Sequence, residues 1–130
     1  MIVDTSAIVA ILNGEPDSEV LLRALATDPD PKISAATTVE LFAVSGARQG
    51  ARETERVDAF LENFHVRTVP FDETQARLAR AAYRDYGRGS GHPAHLNLGD
   101  CYSYALAAAT GEPLLFVGCD FAATDITPAL

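Results

Sequence analysis

Short apolar runs alternate along this chain with longer stretches in which apolar residues recur every three or four positions. The short runs predict strands, at Met1–Val3, Lys32–Ser34, Val66–Val69 and Leu114–Val117. The longer stretches predict helices, at Ser6–Leu12, Ser18–Ala26, Thr38–Arg48, Glu53–Phe64, after Asp72 and at Gly99–Ala109. Repeated strand-then-helix units imply an α/β fold in which helices cover both faces of a parallel sheet.

The length and composition are typical of a soluble globular chain. Its 130 residues can bury a core without disulfides, and 48% of them are apolar. No apolar run approaches the ~20 residues of a membrane helix, and the N-terminus lacks the basic region of a signal peptide. Cys101 and Cys119 fit no disulfide or zinc spacing. We therefore expect a single domain over residues 1–130 that lies in the cytoplasm without a membrane association.

Acidic residues follow the predicted strands. Asp4 comes directly after the first strand, and Asp120 comes after the last strand and a Gly-Cys turn. Glu40 lies in the first turn of the helix that follows the second strand. In an open parallel sheet the functional crevice lies beyond the carboxyl ends of the strands, so these acids are expected at one edge. Asp100 joins them if the loop over residues 87–96 returns the chain to that side.

Each of these acids also has a purely structural interpretation. Thr37-x-x-Glu40 and Asn97-x-x-Asp100 match the capping-box pattern at a helix start. Asp4 and Asp120 could be turn residues. Capping does not explain why four acids converge on one edge with no basic residue beside them. The only lysine, Lys32, lies at the start of the second strand, too far along the chain to be an obvious counter-charge.

A divalent cation would resolve this clustering. Unpaired carboxylates that lie close together are costly, and oxygen ligands without histidine favour Mg²⁺ or Mn²⁺ over zinc. Such a site suits phosphodiester hydrolysis, in which the metal polarises the phosphoryl oxygen and lowers the pKa of a bound water. The net charge of −8 is unusual for a nucleic-acid binder. Bound cations would neutralise part of that charge.

Four segments carry a resemblance to a known family. They read IVDTSAIVAIL, ISAATTVELF, GHPAHLNLGDCYSYALA and LLFVGCDFAATDI. In order and spacing they closely resemble the motif regions of PIN-domain ribonucleases, specifically the VapC toxins of bacterial toxin–antitoxin pairs. The resemblance implies a PIN-like three-layer α/β/α sandwich with a central parallel sheet of four to five strands.

The resemblance also assigns residues and partners. It implies a catalytic, metal-binding quartet, which falls on Asp4, Glu40, Asp100 and Asp120. Asp125 matches a frequent extra acid near the site, and Thr5 or Ser6 matches a hydroxyl that helps to hold the first aspartate. The family often has Gly-Asn-Asp where this chain has Gly118-Cys119-Asp120. The implied activity is a Mg²⁺-dependent endoribonuclease. The implied partners are an RNA substrate, a cognate VapB antitoxin whose C-terminal segment occupies the groove, and a second copy in a homodimer.

The arginines recur at helical spacing. One set predicts a solvated face with Arg–Glu pairs; it consists of Arg48, Arg52 and Arg56. The other set runs into the glycine-rich loop before Asp100; it consists of Arg77, Arg80, Arg84 and Arg88. If this stretch is continuously helical, the second set forms one stripe. Arginine contacts with phosphate are strong and independent of sequence, so we expect Arg84 and Arg88 to bind RNA.

Two other functions use acids at strand ends. A PIN or flap-type nuclease could act on DNA, or in RNA processing outside any toxin system, and the toxin-like wording of the motifs disfavours it. A non-enzymatic phospho-receiver or metal-binding regulatory module normally needs a lysine after its last strand and paired acids after its first. This sequence has neither feature. The endoribonuclease is therefore the leading hypothesis.

Overall fold

A computed structural model describes residues 1–46 and 50–130 of the chain. Four strands form its sheet: β1 (Ile2–Val3), β2 (Lys32–Ser34), β3 (Arg67–Val69) and β4 (Leu114–Leu115). Six helices accompany them: α1 (Thr5–Asn13), α2 (Ser18–Thr27), α3 (Ala35–Gly46), α4 (Ala51–Asn63), α5 (Glu73–Tyr86) and α6 (Leu98–Thr110). The strands run parallel in the order β3-β2-β1-β4. The predicted parallel sheet is confirmed, with four strands.

Neighbouring residues of a strand belong to two different hydrophobic cores, one on each face of the sheet. Ile2 and Leu114 belong to the core that α5 and α6 cover. Val3 and Leu115 belong to the other core, which α1, α2, α3 and α4 cover. Alternation of side chains along a strand produces this division. Burial of each of these side chains contributes roughly 1.5–3 kcal/mol. Helices therefore cover both faces, and the predicted three-layer α/β/α architecture is confirmed.

Several element boundaries differ from the sequence prediction by one to three residues, and two of these differences have an identifiable reason. Helix α3 begins at Ala35 rather than Thr38, because the Ser34 hydroxyl accepts a hydrogen bond from the Ala36 N–H and starts the helix earlier. Strand β4 ends at Leu115 rather than Val117. The Val117 N–H donates to the Ser6 hydroxyl at 3.0 Å instead of to a neighbouring strand. Both departures lie at the edge of the sheet that carries the acids.

The loop before α6 turns the chain back toward this same edge. Gly87 and Leu96 form a parallel bridge, in which the Leu96 N–H donates to the Tyr86 carbonyl and the Arg88 N–H donates to the Leu96 carbonyl. Gly87 has no side chain to collide with the Tyr83 carbonyl, which lies directly against it. The loop therefore delivers the first turn of α6 beside α3.

Cations collect at the opposite, amino-terminal end of the sheet. The Lys32 ammonium contacts Glu112 at 2.7 Å and Asp30 at 2.9 Å, and Arg67 forms a further ion pair with Asp30. These pairs lower the pKa of the Asp30 carboxyl, chiefly through the hydrogen bonds from Arg67 and Lys32. As the sequence predicted, Lys32 does not neutralise the acids at the carboxyl ends of the strands. Among the helices of the described residues, none is long and apolar enough to cross a membrane.

Candidate active site

Asp4 lies between β1 and α1 and caps the helix. Its Oδ2 accepts hydrogen bonds from the Ser6 N–H at 2.9 Å and the Ser6 hydroxyl at 2.7 Å. The same hydroxyl accepts from the Val117 N–H, so Ser6 connects this carboxylate to the end of β4. The side chain is only 3% exposed, yet its Oδ1 has no hydrogen-bond partner. A buried carboxylate oxygen without a partner is costly, and this one is available to a ligand.

Glu40 extends from α3 to the first turn of α6. Its carboxylate lies directly against Gly99, where any side chain would occupy the same space. The Thr5 hydroxyl donates to its Oε2 at 3.1 Å. Burial raises the pKa of Glu40, and the nearby Asp4 charge adds to the rise. Thr5 and Gly99 together hold this carboxylate beside Asp4.

Asp100 sits in the first turn of α6. Its Oδ2 accepts from the Asn97 N–H at 2.7 Å, and its own N–H donates to the Asn97 side chain at 2.9 Å. Burial raises the pKa of Asp100 to about 6, against the hydrogen bond from Asn97. The charges of Asp4, Asp120 and Glu40 contribute smaller parts of this rise. Asp100 therefore lies within electrostatic range of the three other predicted acids.

The acids after β4 differ in their surroundings. Asp120 is exposed and its carboxylate caps no helix. Asp125 accepts a hydrogen bond from the Tyr104 hydroxyl at 2.7 Å, one turn along α6 from Asp100. Burial, helped by Asp125, raises the pKa of Tyr104. Cys101 is buried, whereas Cys119 is exposed beside Asp120.

The capping interpretation holds for some of these residues. Asn97 and Asp100 form a complete capping box, and Asp72 accepts from the Gln75 N–H at 2.8 Å. Thr37 caps nothing, because it lies inside α3, where its hydroxyl pairs with Ser103. Glu40 is therefore not a capping residue. Asp4 and Asp100 each cap a helix and also belong to the acid cluster.

The donor set fits a hard divalent cation. None of the ion pairs between described residues involves Asp4, Glu40, Asp100 or Asp120. All four offer carboxylate oxygens, which Mg²⁺ and Mn²⁺ prefer. Within residues 1–46 and 50–130, no group of three or more His, Cys, Asp or Glu side chains is placed so that it could hold a metal ion. Binding of one ion by three or more of these acids would thus require their carboxylates to lie closer together than they do here.

The arginines are less uniform than their spacing suggested. Arg84 forms a two-point pair with its neighbour Asp85, and Arg77 pairs with Glu73. Helix α5 ends at Tyr86, so Arg88 lies beyond the helix and does not continue a helical stripe. In the other set, Arg56 pairs with Glu53 and donates to the Leu12 carbonyl, as expected of a structural face. Arg48 falls outside the described residues.

Sequence reasoning missed two features of this region. The first is Gly99, whose place near the start of a helix could have signalled a close approach. The second is an apolar groove between α5 and α6, which Tyr83 and Leu98 help to line. No local pattern marks it, because its walls come from helices separated by a loop.

The geometry agrees with the family comparison. The family model described as the PIN domain matches residues 1–126. Ribonuclease VapC42 of Mycobacterium tuberculosis is 56% identical over 129 residues, which cover 99% of this chain and 98% of that protein. The chain belongs to the PIN-domain family of VapC ribonucleases.

Solved structures share the fold of this VapC-family protein. The VapC20 toxin of Mycobacterium tuberculosis, described as cleaving the sarcin-ricin loop, superposes with a TM-score of 0.73 at 21% identity. The match covers 97% of this chain and 95% of that one. A toxin–antitoxin complex from Klebsiella pneumoniae gives a TM-score of 0.70 at 20% identity, covering 93% and 89%. At these identities the structures establish the fold alone.

Proposed function

We propose that this VapC-family protein is the toxin of a type II toxin–antitoxin pair and acts in the cytoplasm as a metal-dependent endoribonuclease. One observation carries the proposal. The buried Oδ1 of Asp4 lacks a partner within a cluster of four acids that form no ion pair in the described part of the chain. Clustered carboxylates of this kind fit a cation that in turn meets a phosphodiester.

Asp4, Glu40, Asp100 and Asp120 would hold Mg²⁺, with Mn²⁺ as a substitute. When bound, the ion supplies Lewis-acid stabilisation of the phosphoryl group and a more acidic water. The protein residues orient the ligands: Ser6 fixes Asp4, Thr5 fixes Glu40 and Asn97 fixes Asp100. Arg84 and Arg88 are exposed on the approach to α6 and bind backbone phosphates.

Partners follow from the toxin role. A cognate VapB-type antitoxin would bind with its C-terminal segment near the acid cluster, and the toxin would form a homodimer within a larger complex. The support for an antitoxin is the shared fold with a toxin–antitoxin complex from Klebsiella pneumoniae. The substrate is RNA, as the names of the VapC ribonucleases state for those proteins.

Cleavage of RNA by the purified protein tests the activity. We expect cleavage with Mg²⁺ or Mn²⁺ and none in EDTA. Asp100→Asn should abolish cleavage while it retains the fold, because the amide preserves the capping geometry but not the charge. Asp58→Asn is the matched control, since Asp58 is an exposed acid on α4. Metal-independent cleavage would contradict the proposal, and cleavage of DNA instead of RNA would favour a flap-type nuclease.

A further inference from the structure

An apolar groove of about 450 Å³ lies between α5 and α6, outside the acid cluster. Its floor and walls include Phe71, Ala79, Tyr83, Leu98 and Tyr102. Leu98 is 58% exposed and Tyr83 is 43% exposed, although both are large and apolar. The rings of Phe71 and Tyr102 meet edge to face at 5.3 Å, which fixes one wall. The groove is large enough for a ligand of small-molecule size.

The groove and the acid cluster both include residues from the start of α6. Leu98 and Tyr102 are one turn apart on α6, so they share a face, and Asp100 lies midway between them. Two residues along a helix turn the side chain to the opposite side. The groove and the Asp100 carboxylate are therefore separated by the width of one helix, about 10–12 Å. A few nucleotides of extended single-stranded RNA span this distance.

Two arginines line the rim of the groove. Arg80 forms no ion pair with any residue that the structure describes, and Arg84 is paired only with Asp85. Both partners of the Arg84 pair are at least half exposed, so the pair is easily exchanged for another anion. On a chain of net charge −8, this rim is a local positive feature next to an acidic site.

Aromatic walls with a cationic rim suit one class of ligand in particular. Single-stranded nucleic acid presents apolar base faces and a phosphate backbone, and proteins bind it by stacking and by arginine contacts. We propose that this groove is a base-binding subsite that holds an unpaired RNA base near the acid cluster, with Tyr83 and Leu98 against the base and Arg80 and Arg84 on the phosphates. The assignment rests on the proposed ribonuclease function and places one base of its substrate in this groove.

Charge complementarity is the argument for RNA as the occupant of the groove. Arg80 and Arg84 line its rim, and RNA meets these arginines with a backbone of opposite charge.

Fluorescent RNA gives a direct test. The probe is a short single-stranded RNA that carries 2-aminopurine at successive positions, mixed with the full chain in EDTA so that it stays intact. We expect fluorescence quenching at one position, as the base stacks on an aromatic ring. Tyr83→Ala should remove the quenching and weaken binding about fivefold or more, the lower end of what one stacked base contributes. Tyr83→Phe should restore both, because it keeps the ring.

Matched controls separate the groove from general surface effects. Leu98→Ala should weaken binding, whereas Leu22→Ala should not, since Leu22 is an exposed leucine on α2. Arg80→Ala should weaken it and Arg23→Ala should not. Unchanged binding and quenching in Tyr83→Ala and Leu98→Ala would overturn the assignment. It would also be overturned if these variants instead altered the sedimentation mass of the protein, which would make the groove a contact between copies.

The outcome also distinguishes the two proposals. A wild-type protein that quenches the probe but cleaves no RNA with Mg²⁺ contradicts the proposed function and supports the groove. A wild-type protein that cleaves RNA, with groove variants that bind and cleave equally well, contradicts the groove alone. Absence of any binding to single-stranded RNA overturns the groove, and absence of cleavage with Mg²⁺ as well overturns both.

Discussion

At the scale of single residues, three carboxylates of the acid cluster are each held by a donor from the same or a neighbouring element. Ser6 donates to Asp4, Thr5 donates to Glu40 and the Asn97 N–H donates to Asp100. Each donor leaves at least one carboxylate oxygen free for another partner. These hydrogen bonds thus position the carboxylates without occupying all of their oxygens, as a site that must accept a ligand requires.

A substitution of Gly99 tests whether the position of the Glu40 carboxylate matters for cleavage. Gly99→Ala should lower RNA cleavage by about 100-fold, because the new methyl group would occupy the place of the Glu40 carboxylate. In the Glu40→Ala background the same substitution should be harmless and should stabilise α6 by up to about 1 kcal/mol, the helix preference of alanine over glycine. A double-mutant cycle on unfolding free energies measures this coupling. If Gly99→Ala has the same effect in both backgrounds, the close approach to Glu40 is unimportant.

The raised pKa of Asp100 predicts a pH dependence of stability. The folded carboxyl titrates near 6 rather than at its ordinary 3.8, so the folded metal-free protein holds more protons than the unfolded chain between these values. Stability should therefore fall as the pH rises through that window. Thermal melts in EDTA should show this fall for the wild type and a smaller one for Asp100→Asn. Equal slopes for the two proteins would contradict the burial of this charge.

At the scale of elements, helix starts deliver two of the acids to one edge of the sheet. Asp4 caps α1, and α6 begins with the Asn97–Asp100 capping box. The same residues that start a helix therefore contribute to the candidate site. At these positions a structural role as a helix cap and a role in the candidate site are therefore compatible.

Two matched caps can separate these contributions. Asn97→Ala and Asp72→Ala each remove a side-chain acceptor from a helix N–H, at 2.9 and 2.8 Å. Each should cost about 1 kcal/mol of unfolding free energy in denaturant titrations. Only Asn97→Ala should also lower cleavage, because its helix carries Asp100 whereas α5 carries none of the four acids. Equal loss of cleavage in both variants would mean that stability alone sets activity.

Sequence patterns predicted the elements better than the contacts between them. Apolar runs and helical spacing predicted the four strands and the six α-helices that the structure describes, because both signals are local. The approach of Glu40 to Gly99 depends on how α3 meets α6, which no local pattern encodes. The sequence predicted a cost of placing the acids close together, yet burial is the larger cause of the raised pKa values of Glu40 and Asp100. The burial of a side chain depends on tertiary packing, so the number and spacing of charges in the sequence do not predict it.

At the scale of the whole molecule, charge is divided between the two ends of the sheet. Lys32 and Arg67 are satisfied by acids at the amino-terminal end, while the four acids at the other end form no ion pair with a described residue. RNA must approach an acidic site on a protein of net charge −8. The arginines of α5 and the following loop are the proposed means of attraction.

Salt dependence measures that attraction. Arg84→Ala combined with Arg88→Ala should weaken binding to unrelated RNA sequences alike. The slope of log affinity against log salt should shrink by about 0.7 for each lost phosphate contact. Arg23→Ala, on the exposed face of α2, should leave the slope unchanged. A loss confined to one RNA sequence would mean that these arginines read bases.

The acid cluster should make the metal-free protein less stable than its uncharged variant. Asp4→Asn keeps a good helix cap, since asparagine and aspartate cap equally well. It removes a charge that acts on both Glu40 and Asp100. The variant should therefore melt higher than the wild type in EDTA at neutral pH and should lose activity, as expected at a functional site.

Mg²⁺ should stabilise the wild type, by about 2.7 kcal/mol at 100 times its Kd, and should stabilise the Asp4→Asn variant much less. Thermal melts of both proteins with and without Mg²⁺ measure all four states. If Asp4→Asn melts lower in EDTA, the charge of Asp4 serves the fold; if Mg²⁺ stabilises both proteins equally, the ion binds elsewhere.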